Sequence, residues 1–287
     1  MLKVFLHKNR HSIKEAAVDS QLVPIDSHEA LIEIAEKARE IEHYISIITE
    51  RKDVFFQEQD ESFAIRADSK SVMEATLMVL MDKKVTTDFV FIHGSSVKDE
   101  KLDSDLLSLG AELLKSGQVK NIVINGLSSK DCEEKNIAYP GYDVWANKLQ
   151  LLGVSNINAI APSWHTAAES SNLVDFAITM GWNEITIMAF PHHLVRCMCQ
   201  VVYFLKKKNA THIKVYARTF DTIDWLQGAV KPVLGTGKSI NGTLFDHIEA
   251  EFQRIEKYMD PTGKGYTPHA TLEEVIDYIK NREKVVL

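Results

Sequence analysis

Ile185-Thr186-Ile187-Met188-Ala189-Phe190-Pro191-His192-His193-Leu194-Val195-Arg196 passes from one periodicity to another. Ile185 to Met188 is a continuous apolar run of strand length. Leu194, Cys197, Met198, Val201, Val202 and Leu205 recur at the spacing of one helix face. Pro191 suits the first helical position, where a missing N–H costs nothing. The stretch therefore predicts a buried strand, a turn and a helix, with His193 and Arg196 three residues apart on one side of the first turn. An imidazole and a guanidinium at a helix N-terminus can hold an anion and move a proton. A pair of surface residues on a loop is the plainer reading.

The same alternation extends outward in both directions. Upstream lie Phe89-Val90-Phe91-Ile92 and a helix carrying Leu106, Leu109, Leu113 and Leu114. Asn121-Ile122-Val123-Ile124 follows, then a helix with Trp145, Leu149 and Leu152 that stops at Gly153. Ile157-Asn158-Ala159-Ile160 leads to a helix with Leu173, Phe176, Ala177 and Met180. Downstream is a fifth strand, Ile213 to Ala217. Strands that are apolar throughout, each followed by a helix, predict a doubly wound α/β fold of Rossmann-like type, mainly parallel and five-stranded. Ligands of such sheets bind outside the carboxyl ends of the strands. Those ends are His93 to Ser96, Asn125 to Ser129, Pro162 to Thr166, and Phe190 to Arg196, and they hold His93, His165 and His193.

Residues 1–85 read as a helical N-terminal layer, 86–218 as the α/β core and 219–287 as a helical extension packed on it. Leu31 to Ile45 forms an amphipathic stripe after Ser27, and Phe55 to Glu61 reads as a loop. Ser69 or Ser71 would cap a second helix carrying Val72, Ala75, Leu77, Met78 and Leu80. After Arg218, Phe220 to Val230, Phe245 to Tyr258 and Leu272 to Ile279 read as helices, with a loop from Asp260 to Gly265.

A net charge of -7 argues against a general nucleic-acid binder, which needs a basic face. Lys206-Lys207-Lys208 falls at a helix end, where cations suit the dipole. Three cysteines are too few for a disulfide scaffold in a chain of 287 residues, so Cys132, Cys197 and Cys199 read as small buried residues. The N-terminus lacks a signal-peptide apolar core, and no run reaches a membrane span, so a soluble cytoplasmic protein is expected, with no membrane partner.

Gly235-Thr236-Gly237-Lys238-Ser239 fails the phosphate-loop pattern, because Pro232 stands where its first glycine belongs. Gly94 and Gly126 close strands without dinucleotide spacing, though both allow close backbone approach to a ligand. Thr166 and Glu169 fit a capping box, which would set His165 and the free amides of a helix N-terminus at the sheet edge. His93, His165, His192 and His193 are numerous enough to bind a divalent metal, yet their local spacing matches no zinc motif.

In order, strand-Gly94, Asn125-Gly126, Leu152-Gly153-Val154, Ser163-x-His165-Thr166-x-x-Glu169 and His193-x-x-Arg196 resemble the domain of unknown function 218 family, which includes YdcF-, SanA- and ElyC-like proteins. The resemblance covers roughly residues 86 to 218. It implies a Rossmann-like sheet with a polar pocket at the strand ends, built here on Gly94, Gly126, Thr166, Glu169, His193 and Arg196. Some members are tied to bacterial envelope and lipid-carrier metabolism, and S-adenosylmethionine is a ligand the resemblance suggests. The chain departs from the family pattern in its first loop, in lacking an arginine near Asp103 to Asp105, and in having His165 for the usual asparagine, with Glu169 one place later.

The expected function is a soluble hydrolase or group transferase acting on a small anionic, phosphate-containing metabolite. Arg196 would clamp the anion, since its planar fork suits phosphate. His193 would be general acid or base, and Glu169 would orient a donor or cap the helix. His93, Gly94, Ser95, Asn125, Gly126, His165 and Thr166 would line the ligand. No redox motif is visible. The alternative is a binding module that holds a nucleotide-like ligand such as S-adenosylmethionine without turnover.

Overall fold

The computed structural model describes residues 69–82, 86–221, 228–232, 239–244 and 267–283, together with His247, Glu251, Phe252, Arg254, Ile255 and Tyr258. The N-terminal stripe after Ser27, the Phe55 to Glu61 loop, Gly235 to Lys238 and the Asp260 to Gly265 loop lie outside these residues. All described elements belong to one compact unit that begins at Ile65.

The five strands are β1 (Phe89–Ile92), β2 (Ile122–Asn125), β3 (Ile157–Ile160), β4 (Glu184–Met188) and β5 (Lys214–Arg218). They form one sheet in the order β3-β2-β1-β4-β5, and every pairing is parallel. The expected doubly wound Rossmann-like sheet is what the chain forms. β1 and β2 are buried at every position, as continuous apolar strands require, whereas edge strand β3 is exposed or half-buried until Ile160. Helices α1 (Ser69–Leu80), α2 (Glu100–Lys115), α3 (Ser129–Glu134), α4 (Tyr142–Leu151), α5 (Thr166–Met180), α6 (Pro191–Lys207) and α7 (Leu272–Asn281) accompany the sheet.

Two apolar cores result. Val90, Ile92, Ile122 and Ile124 pack with Leu106, Leu107, Trp145 and Leu149 of α2 and α4. Phe89, Phe91, Ile185 and Ile187 pack with Leu173, Val201, Val275 and Ile279 of α5, α6 and α7. Alternate residues of one strand thus face opposite layers, as the two-residue pleat demands. Cys132, Cys197 and Cys199 are free and buried, as small apolar residues. Among the described residues, no helix is long and apolar enough to cross a membrane.

The C-terminal extension departs from the helical reading. Gly228–Pro232 (β6) pairs antiparallel with Ser239–Thr243 (β7), so the predicted helix ending at Val230 is at its end a strand of a hairpin. Leu244 and the described residues between His247 and Tyr258 are helical, as expected. The final helix is α7, closed at its start by a capping box of Thr271 and Glu274.

The chain winds outward from β1 to β2 and β3, then returns across β1 to β4. The strand order reverses between β1 and β4, and ligands of doubly wound sheets generally bind at the carboxyl ends beside such a reversal. The register aligns Ile92 with both Ile124 and Met188, so His93, Asn125 and Ala189 leave the sheet at one level.

Candidate functional site

Asn125, the last residue of β2, ties three loops together. Its amide nitrogen donates to the Ser163 carbonyl and to Glu169 Oε1, each at 2.8 Å. Its amide oxygen accepts from the backbone N–H groups of Leu127 and Ser163, each at 3.1 Å. Tyr139 donates its hydroxyl to the Asn125 carbonyl at 2.8 Å. All four hydrogen-bonding positions of this buried amide are matched, which rigidifies the sheet end.

Glu169 does not cap its own helix. The N-cap of α5 is His165, whose Nδ1 accepts from Ala168 N–H at 3.2 Å. The expected Thr166–Glu169 capping box is therefore absent: Thr166 is the first helical residue, and Glu169 stands one position too far along to reach back. Its carboxylate crosses to β1 and β2, accepting from Gly94 N–H at 3.1 Å and Asn125, and lying 3.3 Å from His93 Nδ1. Burial alone would raise this carboxyl, but the His93, Asn125 and Gly94 donors outweigh it and hold Glu169 below its ordinary range. Gly94 is needed here, because a Cβ would come 2.9 Å from Glu169 Oε1.

A second cluster forms at the start of α6. Arg196 donates through Nε to Glu251 and through an NH1 proton to Thr166 Oγ1 at 2.9 Å. Lys231, on β6, also binds Glu251, and Arg254 reaches the same carboxylate at 2.5 Å. Burial works against ionised Glu251, yet Arg196, Lys231 and His193 hold it well below the ordinary carboxyl range. Three cations thus surround one carboxylate, and among the described residues no other carboxylate pairs with them. Burial lowers Lys231 to about 8 even against the attraction of Glu251.

His193 Nδ1 lies 3.0 Å from Glu251 Oε2 and 3.1 Å from the Arg196 NH2 group, between a committed acceptor and a committed donor. Its Nε2 faces Thr166 Oγ1 at 3.4 Å. Burial and the adjacent Arg196 charge push the imidazole down to about 4, so it is neutral at ordinary pH. The His193 and His93 rings stand edge to face, 6.5 Å apart, which joins the two clusters.

Two hydroxyls of the β1 loop bond to neighbouring elements. Ser96 Oγ and His192 Nε2 are 2.7 Å apart. Ser95 donates to Asp103 of α2, whose carboxyl burial raises to about 7 despite that hydrogen bond. Lys98 N–H bonds to the Val230 carbonyl at 2.6 Å, and the His192 and His247 rings lie 5.7 Å apart. The hairpin and the Glu251 segment therefore rest on the loops after β1 and β4, and Arg196 is only 9% exposed.

Of the residues singled out by sequence, His93, Gly94, Asn125, Thr166, Glu169, His193 and Arg196 meet in one connected network. Ser95 is buried beside them with its hydroxyl turned to Asp103. Gly126 packs against the Ile160 carbonyl, and His165 is exposed, engaged as a helix cap. Sequence reasoning missed Glu251, Lys231, Arg254 and Tyr139. Glu251 and Arg254 lie one helical turn apart, but a charged pair at that spacing normally marks a solvated face. Among the described residues, no group of three His, Cys, Asp or Glu side chains could hold a metal ion. Compared with known protein families, with curated proteins and with solved structures, the chain matches none.

Proposed function

We propose that this chain is a hydrolase or group transferase acting on a small phosphate-containing metabolite held between the loops that follow β1 and β4. The observation that carries this reading is the charge imbalance around Glu251. Arg196, Lys231 and Arg254 share that single carboxylate, leaving two positive charges uncompensated among the described residues. Arg196 and Lys231 are buried, where excess positive charge is costly, and a phosphate dianion would compensate it. Arg196 supplies the planar fork, and Lys231 a point charge. The resemblance of Ser163-x-His165-Thr166-x-x-Glu169 and His193-x-x-Arg196 to the domain of unknown function 218 family would put Glu169 and Arg196 in a polar pocket, in keeping with this reading.

The imbalance also weighs against S-adenosylmethionine. That molecule brings one carboxylate, but its ammonium and sulfonium would add two cations to an already cationic site. Proton transfer in the proposed reaction falls to a histidine beside the cationic cluster, where the His93 ring stands edge to face with His193.

The test is thermal unfolding with inorganic phosphate, vanadate and S-adenosylmethionine in parallel, followed by product analysis on a panel of phosphate monoesters. Phosphate at about 100 times its Kd should stabilise the fold by roughly 2.7 kcal/mol. Arg196→Ala and Lys231→Ala should each weaken that response at least tenfold in Kd. Stabilisation by S-adenosylmethionine but not by phosphate or vanadate would refute the assignment.

A further inference from the structure

We infer that His93, oriented by Glu169, is the general base of this site and takes a proton at Nε2 from the water that attacks the bound phosphate ester. The inference rests on the phosphate reading above and specifies its chemistry.

Gly94 N–H and the Asn125 amide are obligate donors, and both reach Glu169 Oε1, so that oxygen can only accept. The other oxygen, Oε2, faces His93 Nδ1 at 3.3 Å. Glu169 is held in its ionised form, so Nδ1 carries the hydrogen and donates to it. In the neutral imidazole this leaves His93 Nε2 as the nitrogen with the lone pair. The atom is fully buried and has no hydrogen-bond partner among the described residues. A buried polar atom without a partner is uncommon, and here it belongs to a base whose other nitrogen is anchored by a carboxylate. The same division of labour makes an imidazole a catalytic base when a buried carboxylate stands behind it.

The other two candidates lack this arrangement. His193 has both ring nitrogens occupied, by Glu251 and Arg196 on one side and Thr166 on the other. His192 pairs with Ser96 through Nε2, and its Nδ1 has no described carboxylate to set the tautomer. His193 is thus a positioning residue for Arg196, and His93 is left to accept the proton.

The step balances without a co-reactant. Water oxygen forms a bond to phosphorus while one of its protons moves to His93 Nε2. The bond from phosphorus to the ester oxygen breaks, and that oxygen keeps the electron pair and is protonated from solvent. The His93 imidazolium, stabilised by Glu169 until then, returns its proton to water. Net, one water is added, giving an alcohol and inorganic phosphate.

His93→Asn is the decisive variant, because its side-chain amide can still donate to Glu169 while the base is gone. With p-nitrophenyl phosphate as probe, kcat should fall roughly 10²–10⁴-fold and KM should stay within about twofold. Exogenous imidazole should rescue His93→Gly. Long-range nitrogen NMR of histidine-labelled protein should show His93 as the Nδ1–H tautomer, and Glu169→Gln should abolish that preference. Unchanged kcat in His93→Asn, or an Nε2–H tautomer in the wild-type protein, overturns the assignment of the base while phosphate binding stands. Failure of the wild-type protein to bind inorganic phosphate overturns the phosphate reading instead. Phosphate binding with no turnover of any monoester overturns the hydrolytic step alone.

Discussion

Replacing Glu251 by glutamine removes one charge and almost no volume, so it isolates the electrostatic role of that carboxylate. In the folded protein Glu251 is 2% exposed and accepts from Arg196, Lys231 and Arg254, with His193 at 3.0 Å. Breaking a buried ion pair from one side usually costs about 3–5 kcal/mol. Arg254 is partly exposed and can turn to solvent, whereas Arg196 and Lys231 cannot, so the lower half of that range is expected near pH 6.5. The loss should depend on pH in both directions. The Glu251 carboxyl is held well below 4.5, so its contribution is present above that value and disappears as pH falls through the depressed one. At the alkaline side Lys231 titrates. Its folded value is about 8, below the ordinary 10.5, and losing the Glu251 charge lowers it further. The variant therefore sheds the lysine proton earlier, and its deficit narrows as pH approaches 8. Urea unfolding of both proteins at pH 3, 6.5 and 8.5, read as midpoint and slope, should give a gap that peaks at the middle value. A gap below about 1 kcal/mol at pH 6.5, or one constant across pH, would refute the account of a charge-bearing buried carboxylate.

Asp103→Asn should stabilise the protein above neutrality. The carboxyl is raised from 3.8 to about 7, so folding holds a proton that the unfolded chain releases, and wild-type stability falls as pH rises from about 4 to 7. The variant should gain on the order of 3 kcal/mol at pH 8 and nothing below pH 4, and an advantage that does not change with pH would contradict this. Gly126→Ala should cost about 2–3 kcal/mol in urea unfolding, because its Cβ would lie 2.5 Å from the Ile160 carbonyl oxygen, which is backbone and cannot turn aside. Wild-type stability in that variant would mean that β2 and β3 are not held at this separation.

The strands were legible because a buried parallel sheet needs residues that are apolar on both faces, and Phe89 to Ile92 and Ile122 to Ile124 announce this directly. Where the apolar run stops before the ladder does, the reading stops early. Asn125 still pairs with Ile160 although its side chain is polar, and Arg218 pairs with Met188 in the same way. The β6–β7 hairpin was hidden for a different reason. Lys231 is a charged residue turned inward, and Pro232 cannot donate to a ladder, so Gly228 to Pro232 lacks both the alternation and the composition of a strand. What holds that segment is a contact with Glu251, distant in sequence, which no local pattern encodes.

The site divides along the same line. Residues that leave the sheet at strand ends were visible, because topology alone brings the ends of β1, β2 and β4 together. Their partners were not, and the partners change what the visible residues do. Thr166 and Glu169 carry a capping-box spacing, yet His165 takes the cap and frees Glu169 to reach His93 across 76 positions of sequence. His193 and Arg196 look like a free acid–base and anion clamp when only their own helix is in view. Glu251 engages both, turning the histidine into a support and leaving the unspent positive charge on Lys231 and Arg254 as well as Arg196. A helix turn can place two side chains side by side. Which ring nitrogens stay unpartnered is decided by a carboxylate from elsewhere, and here each imidazole has its own: Glu251 occupies His193, while Glu169 holds His93 by Nδ1 and leaves its Nε2 without a partner among the described residues.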